Sequence, residues 1–272
     1  AFAKGLLARI YAEAPIRDWK KVAELCTSIE NDYGYELCDD YGEMWAYDET
    51  DAVRNTKESI FEVQWSRGSG NWVFMMFHRN AYNPSDSYTW AKWVTPSRDL
   101  IAAYDAQGDT ERKNTSIVID ECGWSNYYPN YEYAFMHKVP TNASSIILMR
   151  LGEIKHLHAE TLACTGDLAG ATKLVNEIRT RAGIKPISQP ANEYDMVTAI
   201  LDERRLELAF EGHRFFDLVR HGLERAKAVH DSMNEKDPYW QTRLPLTQES
   251  ILMPVPQTAL DDNPSLVQNP GY

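Results

Sequence analysis

The chain has 272 residues, 43% hydrophobic and 25% charged, an ordinary balance for a soluble globular protein with one large core or two smaller ones. Its formal net charge of −12 argues against nucleic acid and anionic lipid as partners, since both need Lys and Arg in excess. The longest apolar run, Val73 to Phe77, is far too short to cross a bilayer.

Residues 1–14 read as a helix with Leu6, Leu7, Ile10 and Tyr11 apolar, ended by Pro15. The helix starts without a capping residue, as expected of a chain cut from a longer one. Asp18 then caps a second helix carrying Trp19, Val22, Ala23, Cys26 and Ile29, so residues 1–31 form a helix pair. The same pattern returns 149 residues later, as Asp167 followed by Leu168, Ala171, Thr172, Val175 and Ile178. Repeated helix–turn–helix units of this kind resemble tetratricopeptide repeats, here interrupted by a long insertion.

That insertion, residues 32–142, differs in character. Glu58 to Trp65 alternates Phe61, Val63 and Trp65 with Glu62 and Gln64, the pattern of a short strand. Ser66 to Pro96 reads as a loop-rich tract with seven aromatic rings in 31 residues, and Gly123 to Phe135 holds six in 13. Against a chain average of 11%, both are concentrations that need a reason. A short helix follows Pro96.

Residues 143–236 read as a helical scaffold. Ser144 and Ser145 are cap candidates for a helix through Ile147, Leu148, Leu151, Ile154, His158 and Leu162. Gly166 can end it, and the Asp167 helix runs back antiparallel until Gly183 and Pro186. A third helix from about Tyr194 leads into the charged run Asp202–Arg220. The helix breaks near Gly222 and resumes from Leu223 to about Met233. Residues 237–272 form an extended, proline-punctuated tail that packs back through Leu246, Ile251, Met253 and Val255. The expected fold is mainly α: tetratricopeptide-like helix pairs in an α-α superhelix, with minor β structure in the insertion.

The charged run could hide a catalytic carboxylate pair, but its spacing is that of i,i+3 ion pairs: Arg204 with Glu207, Glu211 with Arg214, Arg214 with Asp217, and Asp217 with Arg220. These read as structural. His156 and His158 face different directions on a helix and cannot share a metal. Cys26, Cys38, Cys122 and Cys164 show no zinc-like spacing, and whether Cys26 and Cys38 pair is open. With no catalytic or nucleotide-binding motif, neither enzyme activity nor a cofactor or metal is expected. The aromatic tracts are the candidate site. Flat rings stack on the apolar faces of sugar rings while nearby polar side chains bond the hydroxyls. Trp72, Trp90 and Trp93 lead this set, with Tyr82, Trp124, Asn71 and Arg79 beside them. For any one ring, burial in the core is an equally good reading.

Three ordered motifs resemble one family. Arg150 with Ala159-Glu160, the Glu203–Arg220 run, and the tail Met253-Pro254-Val255-Pro256 followed by Asn263-Pro264 and Gln268-Asn269-Pro270-Gly271-Tyr272 are similar to SusD/RagB proteins. The resemblance implies a lipid-anchored protein on the bacterial outer membrane, held through an N-terminal cysteine outside this chain. It also implies non-catalytic binding of a glycan for delivery to a SusC-like TonB-dependent outer-membrane transporter, the expected partner. It leaves the family's N-terminal half, with its first helical repeats, unrepresented. Peptide capture, a helical-repeat scaffold for protein partners, and a glycoside hydrolase using acidic residues of the aromatic tract are the alternatives.

Overall fold

Caps written into the sequence set much of the architecture of the computed structural model, which describes residues 1–48, 51–66, 68, 70–79, 94–122, 128–129, 131–237 and 245–272. The chain divides into two compact units, Ala1–Arg214 and Phe215–Tyr272. In the first, helix α1 spans Phe2–Ala12 and α2 spans Trp19–Asp32; Asp18 Oδ1 accepts from the Lys21 amide at 3.0 Å to start α2. Asp167 does the same for the Gly170 amide at 2.8 Å in the later helix Leu168–Arg181. Both ends of the two helices therefore keep the 149-residue offset that their apolar positions share.

The expected helix from Ser145 is different. Residues Ile146–Arg150 are a strand pairing antiparallel with Ser59–Val63, and the helix runs only over Leu151–Cys164. Ile146 and Ile147 are β-branched and gain ladder partners here that helical periodicity alone does not reveal. Strand β1 is thus Ser59–Val63.

The insertion opens with a 3₁₀ turn at Tyr41–Trp45, and beyond β1 its described residues include the helices α3 (Trp72–Phe77), α4 (Arg98–Gln107) and α5 (Thr110–Ser116). Strands β2 (Ile117–Asp120) and β3 (Tyr133–Met136) pair antiparallel, and β4 is Ile146–Arg150. Helices α6 (Leu151–Cys164), α7 (Leu168–Arg181) and α8 (Glu193–Glu207) follow, the last capped by Asn192 on the Asp195 amide. Two expected loops are corrected. Trp72, Phe74 and Phe77 lie on helix α3, and Tyr133 and Phe135 lie on the wholly buried β3. The extra order comes from Asn71, which caps α3, and from pairing with β2.

The interrupted helix pairs are neighbours in space. Helix α2 packs on both α1 and α6, and α6 packs on α7 and α8. Ala8, Val22, Cys26, Ile29, Met149, Ile154 and Leu157 share one core. A Cβ at Gly5 would lie 2.1 Å from Met149 Sδ, so the glycine lets α1 lie close over β4. A second core joins Leu100 and Tyr104 of α4, Tyr133 and Phe135 of β3, and Leu206 of α8. Cys26 and Cys38 are each buried and form no disulfide with one another.

Glu207 and Glu211 of the charged run find their partners on other elements, where the i,i+3 spacing suggested Arg204 and Arg214. Glu207 accepts from Arg150 Nη1 at 2.6 Å and Arg112 Nη1 at 2.9 Å, and also pairs with Arg181. Glu211 takes Arg150 Nε at 2.8 Å and Lys138 Nζ at 2.7 Å, and Arg204 donates to the Glu153 carbonyl at 3.1 Å. Glu58, at the head of β1, bridges Arg150 and Arg181. Buried carboxylates and cations are thus matched across elements that are far apart in sequence. The reason is desolvation: a charge at 0–3% exposure is tolerated only with opposite charge and hydrogen bonds on several sides. Gly152 leaves room for this cluster, since a Cβ there would lie 2.6 Å from Arg150 Nη1 and 2.8 Å from Glu58 Oε1.

In the second unit Asp217 does pair with Arg220 at 2.9 Å, both nearly buried, and a helix over Leu223–Lys236 follows. The tail is more ordered than a simple extended strand. Gln268 clasps the Val255 amide and carbonyl at 2.7 and 2.9 Å, Asn269 Nδ2 donates to the Met253 carbonyl at 2.6 Å, and Tyr272 reaches the Leu252 carbonyl at 3.0 Å. A short helix, Gln257–Asp262, fills the loop so closed. Met253, expected as an apolar anchor, is 81% exposed.

Candidate ligand-binding site

Helix α3 carries the described part of the aromatic site. Asn71 begins it: its Oδ1 accepts from the Val73 and Phe74 amides, and its Nδ2 donates to the Ser144 carbonyl at 2.8 Å. Asn71, expected as a ligand-binding side chain, is fully buried with its amide committed to the fold. Trp72, in the next position, is 53% exposed, and Met75 one helical step away is 42% exposed. At i,i+3 the two share a face, so α3 presents an indole and a thioether side by side to solvent.

The far end of α3 is fixed to the β2–β3 ribbon. His78 Nε2 donates to the His137 carbonyl at 3.0 Å, and the two imidazoles lie tilted at 31° with centroids 4.7 Å apart. Burial, aided by the neighbouring His137, pushes His78 down to about 3, so it is neutral at ordinary pH. Arg79 Nε bonds Asp120 Oδ2 at 2.6 Å and its guanidinium lies over the Phe135 ring. Arg79 thus holds β2 while remaining 27% exposed, close enough to the surface to serve a ligand as well. Tyr82, Trp90, Trp93 and Trp124 lie outside the described residues.

The second ring tract divides by exposure. Tyr128 is buried with its hydroxyl donating to the Pro96 carbonyl at 2.8 Å, and Tyr133 and Phe135 are core. Tyr131 is 70% exposed. Tyr133 and Phe135 on β3 and Tyr128 on a bend are inside, whereas Tyr131 on a turn is outside.

Sequence reasoning missed a second concave region. Gly42, Trp45, Ala46, Tyr47, Asn114, Thr115, His137 and Pro140 line an open cleft of about 370 Å³. Trp45 and Tyr47 lie outside both ring-rich tracts, and Asn114 and Thr115 come from the last turn of α5. No local spacing links them. In the first unit's ionic cluster Glu207 is driven well below its ordinary value, as burial is outweighed by Arg181, Arg150 and Arg112. The geometry provides ring surfaces and hydrogen-bonding groups, the equipment of recognition.

With this geometry in hand, comparison with known proteins is specific. A SusD family profile matches residues 126–272. SusD-like protein P38 of Formosa agariphila is 36% identical over 148 residues, covering 50% of this chain and 27% of that protein. A laminarin-binding SusD-like protein of known structure is 25% identical, with a TM-score of 0.71 over 99% of this chain and 62% of its own. A SusD homologue from Bacteroides thetaiotaomicron superposes with a TM-score of 0.77 at 21% identity, covering 99% of this chain and 63% of that one. The matched stretch contains Arg150, Glu207 and Glu211 of the ionic cluster and the clasped tail, the motifs that carried the resemblance, and the chain belongs to the SusD family.

Proposed function

We propose that this protein captures a glycan at the bacterial outer-membrane surface, as a lipid-anchored lipoprotein, and hands it unchanged to a SusC-like TonB-dependent transporter. The observation that carries this reading is Trp72. An indole 53% exposed loses hydrophobic free energy in water, on a helix that Asn71, His78 and Arg79 hold rigidly in place. Preorganised ring surface is what a sugar face stacks on, and rigidity lowers the entropy cost of binding. Laminarin binding by a relative of the same fold supports a polysaccharide as the ligand class. Tyr82, Trp90, Trp93 and Trp124 extend the platform in this reading, and Arg79 supplies a hydrogen-bonding rim.

Chemistry is not part of the proposal. The buried carboxylates Glu207 and Glu211 are locked in ion pairs with lowered pKa values, whereas a general acid needs a raised one. Calorimetry against laminarin and a panel of other glycans, with product analysis of each mixture and a peptide panel in parallel, tests the function. Glycan binding without product is expected; peptide binding alone, or released sugar, overturns it.

A further inference from the structure

The cleft beside the 3₁₀ turn Tyr41–Trp45 is separate from α3 and takes no part in holding it except through His137. Its walls are two rings in sequence proximity, Trp45 at 8% exposure and Tyr47 at 45%. Tyr47 is placed by an antiparallel bridge to Ala52, next to the hydrogen bond from the Val53 amide to the Ala46 carbonyl. The opposite side is the C-terminal turn of α5, where Asn114 is exposed and Thr115 half-buried. Neither side chain hydrogen-bonds another group among the described residues. Gly42 completes the floor. Its amide is held by Asp40 Oδ1 at 2.7 Å, and a Cβ there would come within 3.4 Å of Thr115 Oγ1, so glycine keeps this side open.

The lining carries no formal charge. His137 is the one titratable imidazole in it, and burial lowers its affinity for a proton, so it stays neutral. A cleft of about 370 Å³ falls within the roughly 300–1,000 Å³ range of small-molecule sites. Lys138 and Arg150 lie against the Trp45 ring but are paired with Glu211 and Glu207, so no lining residue offers an anion a direct charge partner. An amide, a hydroxyl and an exposed phenol ring instead match a ligand with both hydroxyls and a flat apolar face.

We propose that this cleft is a second glycan subsite, taking one neutral sugar unit with its face on Tyr47 and its hydroxyls on Asn114 and Thr115. The inference rests on the glycan-capture reading but on different residues from the α3 platform. Two sites on one protein raise the retention of a polymeric ligand through effective concentration, without either being strong alone.

The test uses the full chain, isotopically labelled, titrated with neutral glucan oligosaccharides cut from laminarin, starch and cellulose and followed by NMR. The Asn114 side-chain amide and the Gly42 backbone amide are expected to shift and saturate, with a midpoint separate from that of the Trp72 indole. Tyr47→Ala and Asn114→Ala, both at exposed positions, should each weaken the cleft midpoint at least tenfold and leave the Trp72 response unchanged. Movement of the Trp72 indole with the cleft signals still overturns the second subsite and leaves glycan capture standing. Cleft signals that move without Trp72 support the subsite and remove the α3 platform. Silence at both positions across all three glucans overturns both.

Discussion

The ionic cluster around Glu207 and the exposed face of α3 lie in the same unit and solve opposite problems. The cluster takes the most polar side chains of the chain out of water and satisfies them with one another: Glu58, Glu207 and Glu211 against Arg112, Lys138, Arg150 and Arg181. Helix α3 leaves an indole in water and spends its polar side chains, Asn71, His78 and Arg79, on fixing that helix. Charge density is therefore a poor guide to function in this protein. The charged run looks like chemistry and is architecture, whereas the neutral rings look like core and supply the exposed surface.

Breaking the cluster should produce the largest effect. Glu207→Ala leaves Arg112, Arg150 and Arg181 short of a shared carboxylate in a site from which water is excluded. The expected loss is about 3–5 kcal/mol, read as a lowered denaturation midpoint. A loss below 1 kcal/mol would mean that water enters the site and screens the arginines.

Acid should strain both regions in sequence. Burial and its His137 neighbour push His78 from 6.5 to about 3, and burial with Arg204 pushes His156 to about 3. Burial alone would raise Glu211, but Arg150 and Lys138 beside it bring its carboxyl from 4.5 to about 2. In each case the unfolded chain binds the proton more readily than the native one. The stability these three groups contribute is therefore full above about pH 6.5 and falls with pH, first through the histidines and then between 4.5 and about 2 through Glu211. Thermal melts across pH 3–8 check this; a melting temperature that rises on acidification contradicts it. His78→Gln should flatten the upper part of the curve.

A third variant sharpens the packing side of the comparison. Gly152→Ala places a Cβ where Arg150, Glu58 and Glu207 converge, and the crowding should cost about 1–3 kcal/mol although alanine is the better helix former. A stabilised variant would show that the arginine side chains can shift at no cost.

The smallest stability effects belong to α3, where the ligand readout should dominate. Asn71→Ala removes a cap and its tie to Ser144, for about 1 kcal/mol of stability and a measurable loss of glycan affinity, since the platform is no longer fixed. Trp72→Ala should change stability by less than about 0.5 kcal/mol, as expected of an exposed position, yet weaken glycan binding at least tenfold. Equal affinity in Trp72→Ala would move the platform off α3 toward Trp90 and Trp93.

Local signals in the sequence determined a good part of the fold. Asp18, Ser97, Asp167 and Asn192 each cap the helix that follows them, because the bond from a short polar side chain to an amide two or three residues on needs no distant partner. The repeated apolar pattern of α2 and α7 likewise follows from helical period alone. Tertiary structure decided the rest. Whether Ile146–Arg150 is helix or strand depended on β1 offering an edge about ninety residues earlier in the chain. Glu207 met Arg112, Arg150 and Arg181, not its i,i+3 neighbour, because desolvation rewards the arrangement that surrounds a buried charge, and that arrangement exists only once the helices are packed. The same holds for the rings. Trp72 is 53% exposed on a helix face and Tyr133 is 2% exposed in a core, and only the packing of neighbouring elements separates the two.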